Sequence, residues 1–129
     1  MKVALNNLLI VEDNPFIGNK IVNALKEGGI IKEIHLTKSL EGATSFFKKT
    51  NFEFVVLDLS LPDGNGLELL KWFEEKKIRT KVFVFSASIE LKRICLRYGA
   101  SAFYDKAQDF DDLIEALKNE SLKSGFSLN

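Results

Sequence analysis

Five polar residues of this 129-residue chain stand just behind short apolar runs. Glu12 and Asp13 follow residues 8–11, Asp58 follows 54–57, Ser86 follows 82–85, and Lys106 comes just after 102–104. If the runs are neighbouring strands, three carboxylates, a hydroxyl and an ammonium gather at one place. Like charges that close push a carboxylate toward protonation unless a cation offsets them. Lys106 supplies one positive charge, and a divalent ion would balance the remainder. The donors are all oxygen, with no His or Cys pair, so a hard ion such as Mg2+ fits better than zinc. Magnesium takes one or two carboxylates, keeps waters and completes its shell with phosphate oxygens, which points to phosphoryl chemistry. Each residue also has a plainer use. Glu12, Asp13 and Asn14 could cap a helix, Asp58 could cap a loop, and Lys106 could be a solvated surface lysine. Their joint placement behind four apolar runs favours the shared site.

The elements that must position these groups alternate in period. Strand-type runs at 8–11, 34–37, 54–57, 82–85 and 102–104 are separated by stretches with helical spacing. The first stretch puts Phe16, Ile17, Lys20, Ile21, Ala24 and Leu25 on one face and stops at Gly28-Gly29. The second starts at Ser39, a plausible N-cap, and carries Leu40, Ala43 and Phe47 inward. The third follows Gly66, the fourth stops at Gly99, and the fifth follows Asp109. Strict alternation implies an α/β fold with a parallel sheet. The third and fourth runs are apolar on both faces, as central strands covered by helices are. Ligands of such sheets sit beyond the carboxyl ends of the strands, where the five polar residues stand.

Composition closes off other classes. The chain is 46% hydrophobic and 28% charged, in the range of a folded globular domain of about 100–200 residues. Eighteen basic residues cancel eighteen acidic ones, which argues against nucleic-acid binding by bulk charge. The lone Cys95 cannot close an intrachain disulfide, and it falls on the apolar face of the fourth helix as a core thiol. No apolar run approaches the roughly 18–20 residues that span a bilayer, and the N-terminal run is too short for a signal peptide. A cytoplasmic protein without membrane contact is the expectation. A Gly-x-Gly-x-x-Gly match opening at Gly64 fails at Leu69 and follows the wrong strand. His35, the single histidine, stands at the end of the second strand and cannot build a triad. Lys76, Lys77, Arg79 and Lys81 read as a solvated turn. The phenylalanines Phe16, Phe47, Phe54, Phe73, Phe83, Phe85 and Phe110 fall at core spacing, while Phe46 and Trp72 stand beside buried neighbours and are left partly exposed.

Over roughly residues 7–123 the chain resembles the receiver domain of two-component response regulators. Leu9-Ile10-Val11-Glu12-Asp13-Asn14 looks like the family's acidic-pair strand. The segment from Val55 through Asp58 to Leu61-Pro62-Asp63-Gly64-Asn65-Gly66 looks like its phosphoacceptor segment and is the most specific match. Ser86 falls at the Ser/Thr position, and Gly99-Ala100-Ser101 leads up to Lys106.

The resemblance implies a five-stranded, doubly wound, flavodoxin-like sheet of order 2-1-3-4-5. It implies a receiver domain over residues 1–123 with a short tail, 124–129. Asp58 would be the nucleophile that takes a phosphoryl group from a phosphohistidine on a sensor histidine kinase or histidine phosphotransfer protein. Asp13, Asp58 and the Ser60 backbone carbonyl would hold Mg2+ directly, and Glu12 through a water. Lys106 and the Ser86 hydroxyl would contact the phosphoryl oxygens, and Phe103 would swing into the space that Ser86 leaves. Such a chain is a signalling switch that assists its own phosphotransfer and dephosphorylation, not a turnover enzyme. Its output would pass to an unidentified protein through the fourth helix, fifth strand and fifth helix, around Lys92, Arg93, Tyr104 and Asp112, as a monomer or weak dimer. Ser60 and Ser88, both small, would line the path of hydrolytic water.

Two departures bear on switching. Ala107 stands where the family often has proline after the lysine, and Phe103 replaces a common tyrosine. Other readings are a phosphorylation-independent binding module, a fragment of a longer DNA-binding regulator, and a flavodoxin-like electron carrier. The acidic Glu12-Asp13 turn argues against the last, since a flavin phosphate prefers free backbone amides.

Overall fold

The computed structural model describes residues 7–27 and 31–126. In chain order these form β1 (Asn7–Val11), α1 (Pro15–Lys26), β2 (Glu33–Thr37), α2 (Leu40–Lys49), β3 (Phe54–Leu57), β4 (Ser60–Leu61), β5 (Gly64–Asn65), α3 (Leu67–Glu75), β6 (Lys81–Ser86), a 3-10 turn (Ile89–Leu91), α4 (Lys92–Arg97), β7 (Ala102–Asp105) and α5 (Phe110–Phe126). The five longer strands make one parallel sheet, ordered β2-β1-β3-β6-β7. Counting those strands alone, this is the expected 2-1-3-4-5 order.

The side-chain period of two splits the core into halves. Leu9, Val11, Val55, Leu57, Val82 and Val84 pack with Ala43, Phe47, Leu69, Leu70, Phe73 and Cys95 of α2, α3 and α4. Leu8, Ile10, Phe54, Val56, Phe83 and Phe85 pack with Ile21 and Leu25 of α1 and with Leu113, Ile114 and Leu117 of α5. Both faces of β1, β3 and β6 are therefore covered, which is why their sequences are continuously apolar. Ser39 caps α2 as expected, its Oγ accepting from the Gly42 N–H at 3.0 Å. Gly99 ends α4 at φ +99, a conformation that disfavours any side chain.

Four expectations are corrected. Phe16 is 77% exposed and does not join the core. The buried stripe of α1 is Gly18, Ile21 and Leu25, and at 100° per residue Phe16 falls on the opposite face. Lys20, read as a polar intruder on that stripe, is exposed, and its ammonium lies 4.3 Å from the Phe110 ring centroid, tying α1 to α5. His35 is in the middle of β2, not at its end, with its ring 5.4 Å from Phe46 and 5.6 Å from Phe52. The segment after Asp58 reads as loop from its proline and glycines, yet β4 and β5 pair as a tiny hairpin around Pro62-Asp63. The helix stop expected at Gly28-Gly29 lies outside the described residues. At the other end, α5 runs on to Phe126, so residues 124–126 continue the helix. Among the described residues no helix is long and apolar enough to cross a membrane.

Candidate phosphoacceptor site

Parallel pairing of β1 with β3 carries their next residues into one pocket. The Asp58 N–H donates to the Val11 carbonyl at 3.0 Å, and the Glu12 N–H donates to the Thr37 carbonyl at 2.9 Å. On the other side, the Lys106 N–H donates to the Ser86 carbonyl at 3.0 Å, extending the β6–β7 ladder by one rung. Across the gap, Lys106 Nζ lies 2.8 Å from Glu12 Oε1 and 3.1 Å from Asp58 Oδ2. Asp13 stands exposed at the rim, and one oxygen from each of Glu12, Asp13 and Asp58 lies within 4.8 Å of the others.

Glu12 and Asp58 are each only 4% exposed, so the electrostatics are those of a poorly solvated cluster. Burial raises the Glu12 pKa above its ordinary 4.5; the Lys106 hydrogen bond opposes this, and the Asp58 charge adds to it. Burial pulls the Lys106 ammonium down, but the hydrogen bond to Glu12 and the charge of Asp58 outweigh it, so its pKa rises above 10.5. The Glu12 shift is thus first an effect of burial, with the Asp58 charge adding to it, while that of Lys106 reflects the two carboxylates that face it. An all-oxygen donor set with surplus negative charge fits a hard divalent cation.

Capping falls to Asn14, whose Oδ1 accepts from Phe16 N at 2.9 Å and Ile17 N at 3.4 Å. Pro15 opens α1, and its first turn holds no acidic residue. Glu12 and Asp13 are thus left for the pocket. Glu12 Oε2 accepts from the Asn14 N–H at 3.2 Å, which steadies the acid without using the oxygen that faces Lys106.

Asp58 is held from its own loop. Its Oδ1 accepts from the Ser60 N–H at 3.3 Å. The Gly66 N–H reaches the Leu59 carbonyl at 2.8 Å, which brings the two backbones close. A Cβ on Gly66 would stand 2.4 Å from the Asp58 carbonyl oxygen, so only glycine fits. Asp63 then fastens the loop to α2, accepting from the Leu40 N–H at 2.9 Å and the Glu41 N–H at 3.0 Å. Those two bonds lower its pKa below the ordinary 3.8.

Glu12, Asp13, Asp58 and Lys106 are therefore brought together, and Ser86 ends the neighbouring strand. Ser86 is buried, and its Oγ accepts from the Ser88 N–H at 3.0 Å. Phe103 is half-buried, packed against the α2–α3–α4 side of the core. Tyr104 faces the other half, where burial, then Asp112, Asp109 and Glu120, raise its hydroxyl pKa. Sequence reasoning missed Asp63 and the contact that requires Gly66. Both act across a turn or between elements, with no local pattern to announce them. It also passed over Asp105, whose side chain is of the type that bonds the backbone two residues on.

Comparison with known proteins agrees with this geometry. A family model for the response regulator receiver domain matches residues 8–118. The chain is 34% identical over 117 residues to the transcriptional regulatory protein MalR of Bacillus subtilis, covering 88% of this chain and 49% of MalR. It is 30% identical over 109 residues to the cell cycle response regulator CtrA of Brucella ovis, covering 83% of this chain and 46% of CtrA. The chain thus spans about half the length of these relatives. Among solved structures, a CheY-like receiver domain protein from Methanospirillum hungatei superposes with a TM-score of 0.80 at 25% identity, covering 93% of this chain and 96% of that one. The response regulator TrrA of Thermotoga maritima, solved in complex with Mg2+–BeF, superposes at 0.76 with 28% identity, covering 88% and 96%. Family match, sheet order and acidic pocket agree: this chain belongs to the response regulator receiver domains of two-component systems.

Proposed function

We propose that this chain is a phosphoacceptor switch in which Asp58 takes a phosphoryl group from a phosphohistidine on a sensor histidine kinase or histidine phosphotransfer protein. The observation that carries the reading is the Lys106 ammonium set between Glu12 and Asp58, with Asp13 at the rim. An Asp58 carboxylate oxygen attacks phosphorus in line with the histidine nitrogen. The O–P bond forms as the N–P bond breaks, and the imidazole leaves with the bonding pair and picks up a proton. Asp13, Asp58 and the Ser60 carbonyl would hold Mg2+ directly, with Glu12 acting through a water, and the ion would supply positive charge to the phosphoryl oxygens. Lys106 supplies charge from the opposite side. That the related TrrA was solved in complex with Mg2+–BeF supports a magnesium site on this fold.

Output follows from the new charge. Ser86 exchanges its Ser88 contact for a phosphoryl oxygen, and Phe103 moves into the space released. Turning a 1:99 equilibrium into 99:1 takes about 5.5 kcal/mol. Two or three charge-assisted hydrogen bonds at about 1.5–3 kcal/mol each reach that scale. The moved surface is the α4–β7–α5 face, with Lys92, Arg93 and Asp112 exposed and Tyr104 half-buried, presented to a downstream protein.

The test is labelling by phosphoramidate, read as the mass of one added phosphoryl group. It is expected with Mg2+, absent with EDTA, and lost in Asp58→Asn. Labelling that survives Asp58→Asn overturns the assignment.

A further inference from the structure

We propose that Asp105 is a positioning residue for Lys106: its carboxylate captures the Ala107 N–H and fixes the backbone on the far side of the lysine. The inference rests on the phosphoacceptor reading above. Lys106 has a long, flexible side chain whose tip must meet two carboxylates on other elements. Its direction is set by the backbone on either side of it. Before it, Asp105 is paired with Ser86 in the β6–β7 register, and the Lys106 N–H itself bonds the Ser86 carbonyl at 3.0 Å. After it, the chain leaves the sheet, and a different constraint is needed.

Asp105 supplies it with nearly every polar atom it has. Its Oδ1 accepts from the Ala107 N–H at 2.8 Å, closing a turn around Lys106. Its Oδ2 lies 3.4 Å from Gln108 Nε2. Its carbonyl accepts from the Gln108 N–H at 3.2 Å and the Asp109 N–H at 2.9 Å. Its own N–H donates to Asp109 Oδ2 at 2.9 Å, and Asp109 also starts α5 through the Leu113 N–H. Lys106 is thus enclosed in a clamp anchored to β6 on one side and to α5 on the other. The bond at Ala107 is available only because the residue is not proline, which has no N–H. A proline there could not donate this bond and would also restrict the backbone of Lys106, the residue before it.

Because proline removes the partner N–H, the clamp is testable as a cycle. Asp105→Ala is expected to slow phosphoramidate labelling of Asp58 about tenfold, the scale of one lost positioning bond next to the reacting group. Asp105→Asn keeps an acceptor for Ala107 and is expected to stay within about threefold of the parent. With Ala107→Pro already in place, Asp105→Ala is expected to change the rate by less than about twofold, since its partner N–H is gone. Mg2+ affinity, titrated by amide shifts in NMR, should not fall in Asp105→Ala, because Lys106 is not among the oxygen donors. A general loosening of the domain would reduce rate and affinity together. The Nζ signal of Lys106, sheltered from exchange by Glu12 and Asp58, should be lost in Asp105→Ala and kept in Asp105→Asn.

Rates of Asp105→Ala and the parent within twofold, or equal losses in the Ala and Asn variants, overturn the proposal. So does a Lys106 Nζ signal that persists in Asp105→Ala. If the parent protein takes no phosphoryl group at all, the phosphoacceptor reading falls instead. The Nζ signals of the two variants then still decide whether Asp105 aims Lys106.

Discussion

The interior of β3 and the residue that follows it are buried alike and built on opposite rules. Phe54, Val55, Val56 and Leu57 are at most 1% exposed, and Asp58 is 4% exposed. The four apolar residues are held by many weak contacts spread over both faces of the sheet. Asp58 is held by a few directed bonds, to Val11, Ser60 and Lys106. One stretch of backbone therefore passes from a region where shape and area decide to one where single atoms decide. Stability and chemistry should separate along that line.

The largest effect expected on stability is inside the strand. Leu57→Ala should cost about 2–5 kcal/mol, read as a fall in the urea midpoint, because a fully buried side chain leaves a cavity between well-packed neighbours. Asp58→Asn should change stability by less than about 1 kcal/mol while removing labelling. Lys106 keeps its bond to Glu12, and the Asp58 charge that raises the Glu12 pKa is gone. An Asp58→Asn protein that unfolds as readily as Leu57→Ala would erase the distinction.

Gly66 tests the border between the two regimes. Its added Cβ would meet backbone atoms, Asp58 O at 2.4 Å and Leu59 Cα at 3.0 Å, which cannot swing aside as a flexible side chain can. Gly66→Ala should cost about 1–3 kcal/mol by overpacking. It should also slow labelling, since the atom that must yield belongs to Asp58. A variant with lowered stability and unchanged labelling would show that the loop relaxes away from the acid instead.

The same division explains what the sequence made legible. Apolar strands covered on both faces announce themselves by composition, so the five longer strands could be read to within a residue or so. Ser39 and Gly99 were legible because caps and helix stops are local chemistry. Glu12, Asp13, Asp58 and Lys106 were legible as a group because each follows a strand. Phe16 was misread because the face drawn from Phe16 to Leu25 spans half the helix, and Phe16 stands at its far edge, opposite the residues that are buried. The β4–β5 hairpin is two residues long on each side, too short to show a period. Asp63 resembled any polar turn residue, since the two N–H groups that it caps lie 23 and 22 positions away.

Asp63 gives the smallest of these effects and the clearest dependence on pH. It is a surface carboxylate that touches neither Asp58 nor Lys106 in the described contacts, yet it ties the acceptor loop to the start of α2. The hydrogen bonds from Leu40 and Glu41 favour its ionised form, so its native pKa lies below 3.8. By linkage, the unfolded chain takes up a proton at this group before the native protein does as pH falls. The stabilisation is therefore complete well above pH 3.8 and is lost as pH drops through the lowered native value. Asp63→Ala should lower the urea midpoint at pH 7 by a small, constant amount that persists down to about pH 5. Below pH 3.8 the difference from the parent should shrink, as the parent's carboxyl becomes a weaker, neutral acceptor. Paired unfolding curves from pH 7 to pH 2.5 check this. A gap that stays constant into acid would mean that the side chain acts by packing, and that charge at the α2 terminus contributes nothing to holding the acceptor loop.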